Sequence, residues 1–271
     1  TYGGIGGKNK EPAAATPIFF GHFAYGVAEV VRDPLADELR FEINYHQVYS
    51  HNIDGLIAGT LHWSRYLGDR QLGWVGTRPI CDILVKLDAF TEDYDFNGIV
   101  RSPLTQMLNQ LQVMTARYRI GDGTGGTYVG PANNCSQDSN QALFASIQNA
   151  TTVIQSNQDW LKDWESRDPQ QAKRFQQLIA LGTDLKRELQ PLGKPRSDWE
   201  KNEYNLGSTL EDQPLRNLAM GLGSWRTLLP RKASDTVVKI FLKYNASVWV
   251  LRTNQIGGYD PDIEPIAPMT F

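Results

Sequence analysis

The sequence predicts an α+β fold, with an antiparallel sheet in the first half packed by helices that lie mainly in the second. Three observations predict it. Residues 17–63 are dominated by β-branched and aromatic side chains, and Phe41, Ile43 and Tyr45 alternate against Glu42, Asn44 and His46. Residues 103–189 carry apolar positions three and four apart, the period of a helix with one buried face. The composition, 41% hydrophobic and 21% charged, is that of an ordinary globular protein, and 271 residues suffice for one large domain or two small ones.

Residues 1–16 are rich in Gly, Lys and Ala without periodicity and read as a flexible arm. Pro17 to Val31 reads as a strand, ended by Asp33-Pro34. Leu39 to Tyr49 reads as a second strand, and the short link between them predicts an antiparallel hairpin. Asn52 to Trp63 continues as strand or turn, and Trp74–Gly76 and Ile80–Leu87 offer further strand. Ser102-Pro103 starts a helix whose face is Leu104, Met107, Leu108, Leu111 and Met114, since Pro suits the first helical position. The glycine-rich stretch from Arg117 to Tyr128 reads as a loop ending in a short strand.

A helix then opens at Cys135, with Leu143, Ile147, Ala150 and Ile154 on one face and Asn134 with Gln137 as a capping-box-like pair. Asn157 to Glu165 carries Trp160 and Trp164 at helical spacing, read as core residues. Asp168-Pro169 caps a longer helix with Phe175, Leu178, Ile179, Leu185 and Leu189 inside, stopped by Pro191 and Gly193. Residues 194–212 are loop-like, Leu215–Leu229 reads as helix, Val237–Leu242 as helix or strand, and Val248–Arg252 as strand.

The net charge of -3, without a basic stripe, argues against nucleic acid as a partner. No apolar run approaches the length of a membrane span, so a soluble protein is expected, with periplasm or lumen among the compartments left open. Thr1 is not a start methionine, and the expectation is a processed chain or a piece of a larger parent protein. Two cysteines, Cys81 and Cys135, exclude a cysteine-cluster zinc site and a disulfide scaffold. Cys81 sits in an apolar strand pattern, and no Cys81–Cys135 disulfide is expected.

No cofactor or metal is expected. Gly121-Asp122-Gly123-Thr124-Gly125-Gly126 fits a dinucleotide fingerprint, yet no helix start follows it, and a loop is the better reading. Asp260, Asp262 and Glu264 match no calcium loop. The N-x-Ser/Thr matches at Asn134, Asn149 and Asn245 carry meaning only in a glycosylating pathway.

Cys135 is the residue on which chemistry can be built. The positive end of a helix favours thiolate, while Asp138 in the same turn opposes it. The expected balance is a thiol that ionises below the range of a free cysteine, helped by a nearby imidazolium. A thiol nucleophile needs a base, and His22, His46, His51 and His62 all precede Cys135, so any pair runs histidine first. His22 is the candidate base, because the small residues Ala24, Gly26 and Ala28 on its strand would let the Cys135 helix approach. Hairpin pairing would bring residues near Tyr49 to His51 opposite His22, so His51 could orient the ring, with His46 competing for that role. His62, in Leu61-His62-Trp63, reads as packing. The bland alternative is structural histidines and an inert buried thiol.

Gly21-His22-Phe23-Ala24-Tyr25-Gly26, a second strand, and Asn134-Cys135 opening a helix 113 residues after His22 resemble the circularly permuted papain-like hydrolases. These are relatives of the NlpC-type peptidases that include lecithin–retinol acyltransferase-like enzymes. The resemblance covers residues 17–150 at most. It implies a permuted papain-like core over 17–155, a helical extension and tail over 156–271 packed on it, Cys135 as nucleophile, His22 as base and His51 as orienter. It also implies a cysteine hydrolase, thiol protease or acyltransferase acting on peptide, cell-wall peptide or acyl lipid through an acyl-enzyme.

The wording of Gly76-Thr77-Arg78-Pro79, of Ser136 to Leu143 and of Leu251 to Gln255 is also similar to cyanobacterial proteins of the Abi (CAAX) protease family. The paired glutamates and membrane helices of those proteases are absent from this sequence. That likeness implies an accessory or binding domain of a larger, membrane-associated protein as the rival function.

Overall fold

A computed structural model describes residues 2–3, 21–48, 51–52, 55–56, 59–63, 82–96, 98–120, 135–155, 159–189, 215 and 230–251. Within them the fold is α+β with small antiparallel sheets, as the alternation and helical periods predict. Strand β1 (Tyr2–Gly3) pairs with β2 (Gly21–His22). The hairpin is β3 (Tyr25–Arg32) and β4 (Leu39–Gln47), in register from Arg32↔Leu39 to Tyr25↔His46.

The turn between them is set by Asp33, whose carboxylate accepts from the backbone N–H groups of Leu35 (2.9 Å) and Ala36 (3.1 Å). Those two donors hold its carboxyl below the usual carboxylate range. Asp37 takes the left-handed conformation (φ 55°) that closes the turn. Residues 51–62 form three short strands, β5 (His51–Asn52), β6 (Gly55–Leu56) and β7 (Gly59–His62), and β7 adds to β4 as a third strand.

One face of the three-stranded sheet carries a small core of its own. Ile43 and Tyr45 pack with Ala24, Ala28, Phe41, Leu61 and Trp63. Leu84 and Leu251 close that core from a second ladder, formed by β8 (Asp82–Lys86) and β11 (Ser247–Leu251). The last described strand of the chain therefore pairs with one from its first third, and Tyr45 Oη hydrogen-bonds Asp82 Oδ2 across the gap. The predicted alternation holds for Ile43 and Tyr45 but not for His46, which is buried on the opposite face.

The helical layer forms the larger core. After β8 come a short helix α1 (Asp88–Thr91) and a hairpin of β9 (Tyr94–Phe96) and β10 (Ile99–Arg101). Helix α2 (Pro103–Ile120) buries Met107, Leu111 and Met114, and α3 (Cys135–Gln155) buries Leu143, Ile147 and Ala150, as their spacings predict. Helices α4 (Asp159–Arg167), α5 (Pro169–Leu189) and α6 (Pro230–Lys243) are the other described helices of the layer.

Asp168 Oδ1 caps α5 by accepting from Gln171 N–H at 3.0 Å. Trp164, Phe175, Tyr94 and Phe96 meet ring to ring, so Trp164 packs in the core as expected. A single apolar cluster runs from Phe23 through these helices to Ala246.

One local reading changes, and one left open between helix and strand is decided. Arg117 to Ile120 continue α2 instead of opening a loop, because nothing in Arg-Tyr-Arg-Ile breaks a helix before Gly121. Val237–Leu242 is helical: Ala233, Val237, Ile240 and Phe241 are buried at spacings of four, three and one, a pattern that a strand cannot place on one face. Ile179, expected inside, lies at 36% exposure on the rim of α5. The readings at 4–16, Trp74–Gly76, Cys81, Gly121–Gly126, Asn134, 194–212, 216–229 and Asp260–Glu264 fall outside the described residues.

Helices α3 and α5 approach closely at Gly182, where an added Cβ would lie 2.8 Å from Ile147 Cγ2. Gly182→Ala gains roughly 1 kcal/mol of helix propensity. It must also displace the β-carbon branch of a fully buried isoleucine, an overpacking cost of about 1–3 kcal/mol. The expected net is a destabilisation of about 1 kcal/mol in urea unfolding; a variant as stable as the parent would mean that the two helices slide freely.

Asp184 ties α5 to the end of α6. Its carboxylate meets Lys243 Nζ at 2.5 Å, Tyr244 Oη at 2.8 Å and Arg187 at 2.7 Å. The Lys243 hydrogen bond, then the Tyr244 one, hold the Asp184 carboxyl below its ordinary range against the opposing effect of burial. A depressed carboxyl stabilises the fold above its unfolded pKa of about 3.9, and that stabilisation disappears as pH falls through the folded value. Asp184→Asn should thus unfold at lower urea than the parent at pH 7, with a smaller gap at about pH 3, below the unfolded pKa. An equal gap at both pH values would show that its charge contributes nothing.

Candidate active site

The second face of the sheet meets the start of α3. Residues directly opposite in an antiparallel ladder share a face, so Tyr25, His46 and Thr60 lie side by side across β3, β4 and β7. Tyr25 Oη donates to Asn140 Oδ1 at 2.7 Å, which fixes this face towards α3. Just before β3, the backbone N–H of Phe23 donates to Cys135 Sγ at 3.4 Å. The Phe23 and Tyr25 rings stack edge to face, 4.9 Å apart. Asn140 Nδ2 bonds back to Ser136 O at 2.7 Å, so the same side chain links the strand to the first turn of the helix.

The approach therefore uses the face bearing Phe23 and Tyr25. The expected face, with the small residues Ala24 and Ala28, packs in the second core against Ile43 and Tyr45. Alternation predicted two faces correctly; which one met the helix depended on the β8–β11 ladder occupying the other.

The opening of α3 is polar and wholly enclosed. Ser136, Asp138, Ser139, Asn140 and Gln141 are each 0% exposed, and Cys135 4%. Such a run reads as a solvated helix start in a sequence, and no periodic signal separates it from one. Tyr25 and Asn140, the pair that holds the junction, were missed for that reason. The spacing of Tyr25 from His22 in Gly-His-Phe-Ala-Tyr-Gly was the available hint.

Cys135 is a free thiol at the first residue of α3, as predicted. Its ionisation is not as predicted. Burial pushes the thiol up to about 12, outweighing the N–H donors of Phe23, Ser136 and Cys135 that favour thiolate, and Asp138 adds to the rise. The resting sulfur is protonated at neutral pH. Burial likewise raises the Tyr25 phenol and lowers the His46 imidazole, which keeps both neutral.

The four histidines separate. His22 lies on β2, its Cα opposite Tyr2, one residue before the N–H that reaches Cys135. His51 pairs with Leu56 in the separate β5–β6 ladder, while the residue facing Tyr25 is His46. The side chains of His22 and His51 lie outside the described residues. His46 is buried, with Nδ1 3.3 Å from Thr60 Oγ1. His62, expected to pack, touches Trp63 but is half-exposed and paired with Glu42, which Arg40 also contacts.

Among the described residues no group of three or more His, Cys, Asp or Glu is arranged to hold a metal ion, and no helix is long and apolar enough to cross a membrane. Compared with models of protein families, with curated proteins and with solved structures, the chain matches none.

A raised thiol pKa has a direct readout. Iodoacetamide labelling of native Cys135 should have a pH midpoint well above the 8.5 or so of a free thiol, and should be slow at pH 7. A midpoint at or below that of a model thiol would mean that the helix end and a partner imidazolium overcome burial.

Proposed function

We propose that this chain is a thiol hydrolase or acyltransferase acting on an amide or ester through an acyl-enzyme on Cys135. The observation that carries the reading is the Phe23 N–H to Cys135 Sγ hydrogen bond. It brings the first residue of a long helix against the backbone position next to His22, the relation that a strand histidine and a helix-start cysteine need. The permuted papain-like core implied by the sequence motifs has this arrangement, and the substrates it implies are peptide, cell-wall peptide or acyl lipid.

The burial of the thiol shapes the chemistry. With a protonated sulfur at rest, no thiolate–imidazolium pair is stored, and the proton leaves as the new bond forms. His22 accepts the proton from Sγ while the sulfur lone pair attacks the carbonyl carbon. The tetrahedral intermediate collapses, the C–O or C–N bond breaks, and the leaving alcohol or amine takes the proton from the imidazolium. Water, or an acceptor alcohol or amine, then attacks the thioester with His22 again as base, the S–C bond breaks, and the thiol is restored. For the group that orients His22, His46 is favoured over His51, since it sits buried and neutral opposite Tyr25.

A second reading, a binding or accessory domain of a larger protein, is favoured by the enclosure of Cys135 and its pKa of about 12. One experiment separates the two. The whole chain is incubated with p-nitrophenyl butyrate, and the Cys135 peptide is weighed for a butyryl group. The enzyme reading expects the adduct, its loss in Cys135→Ala, and slowing by about 100-fold or more in His22→Ala with the melting temperature unchanged. An unmodified Cys135, or His22→Ala at full rate, would favour the binding domain.

A further inference from the structure

We propose that Ser139 is a substrate-positioning residue of the Cys135 site, its hydroxyl donating a hydrogen bond to the carbonyl oxygen of the ester or amide held against Cys135 Sγ. The inference rests on the acyl-transfer reading above and adds a recognition group to it.

Among the described residues two buried hydroxyls stand apart. Within the helices, Ser146 donates to Leu143 O, Thr151 to Gln148 O, Thr152 to Asn149 O, Ser166 to Lys162 O and Thr183 to Ile179 O. That back-bond to the preceding turn is the ordinary way for a helical hydroxyl to be satisfied. Ser136 Oγ and Ser139 Oγ, both on residues of 0% exposure, have no hydrogen-bond partner. Ser136 opens the helix and has few preceding helical carbonyls to reach. Ser139 has the carbonyl of Cys135 four residues back and does not use it.

The place of Ser139 gives its free hydroxyl a use. Residues four apart on a helix share a face, with about 5–6 Å between their Cβ atoms. Cα–Cβ bonds tilt towards the helix N-terminus, so Ser139 leans over the turn that begins with Cys135. In the proposed complex the carbonyl carbon lies at the sulfur and its oxygen at the hydroxyl. Charge builds on this oxygen in the tetrahedral intermediate, and a donor in an enclosed, water-poor site stabilises it more than water would. Ser139 exchanges no proton in the step; its O–H bond stays intact.

The test uses the full chain with p-nitrophenyl butyrate, reading both the acylation rate of Cys135 and the melting temperature. Ser139→Ala removes a hydroxyl that makes no internal bond, so it should leave the melting temperature unchanged or raised while slowing acylation by about 100-fold. Ser146→Ala, whose hydroxyl bonds Leu143 O, is the control and should acylate at the parental rate. Ser139→Ala acylating at the parental rate would overturn this role while leaving Cys135 as nucleophile. Slower acylation with a lower melting temperature would make Ser139 a structural residue and overturn it too. An unacylated Cys135 in the parent chain would remove both readings together.

Discussion

The junction between the start of α3 and the Tyr25 face of the sheet is the constraint on which the rest of the structure depends. It consists of one backbone donor, Phe23 N–H to Cys135 Sγ, and one side-chain bridge, Tyr25 Oη to Asn140 Oδ1. Both cross more than a hundred residues of sequence. Because Asn140 also bonds Ser136 O, the bridge is braced to the helix end it orients. A neutral hydrogen bond contributes only about 0.5–1.5 kcal/mol net, so these bonds do not drive the junction together. The drive is the apolar cluster behind it, in which Leu143, Phe144 and Ile147 continue the same helix. The polar contacts decide in which register the helix stops.

That division explains why a polar helix start can be buried at all. Enclosing Ser, Gln, Asp and Asn side chains is costly unless each is partnered. Tyr25, Asn140 and the helix backbone satisfy part of this set, and the following apolar turns supply burial energy. The cost that remains is concentrated where the thiol is. Buried hydroxyls without partners and a thiol held neutral are features that a purely structural core tends to avoid, and they fall within one and a half turns of each other.

The two cores divide the labour. The smaller one, closed by β8 and β11, fixes the sheet and uses up its Ala24–Ala28 face. The larger one holds α2, α3, α5 and α6 as a layer on the other side. Asp184 links α5 to the end of α6, just before the chain turns at Asn245 (φ 61°) into β11. The last described helix and strand thus serve both cores: α6 packs against β1, β2 and β8, and β11 completes the ladder that sets which sheet face is left for the helix.

Much of this was legible in the sequence because it is local. Period-two alternation gave the β3–β4 hairpin, Asp33-Pro34 its turn, and apolar spacing the buried faces of α2, α3 and α5. Cys135 at a helix start was legible for the same reason. What the sequence could not settle was long-range. The choice of sheet face was made by the pairing of β11 with β8, about 165 residues apart, and no local pattern encodes it. The ionisation of Cys135 was misjudged because dipole and neighbouring charge can be read from a sequence, while desolvation, the largest effect, exists only once the fold encloses the sulfur. His46 shows the same limit: alternation placed it on the face opposite Ile43 and Tyr45, and its burial there under the helical layer is a long-range contact that no local pattern encodes.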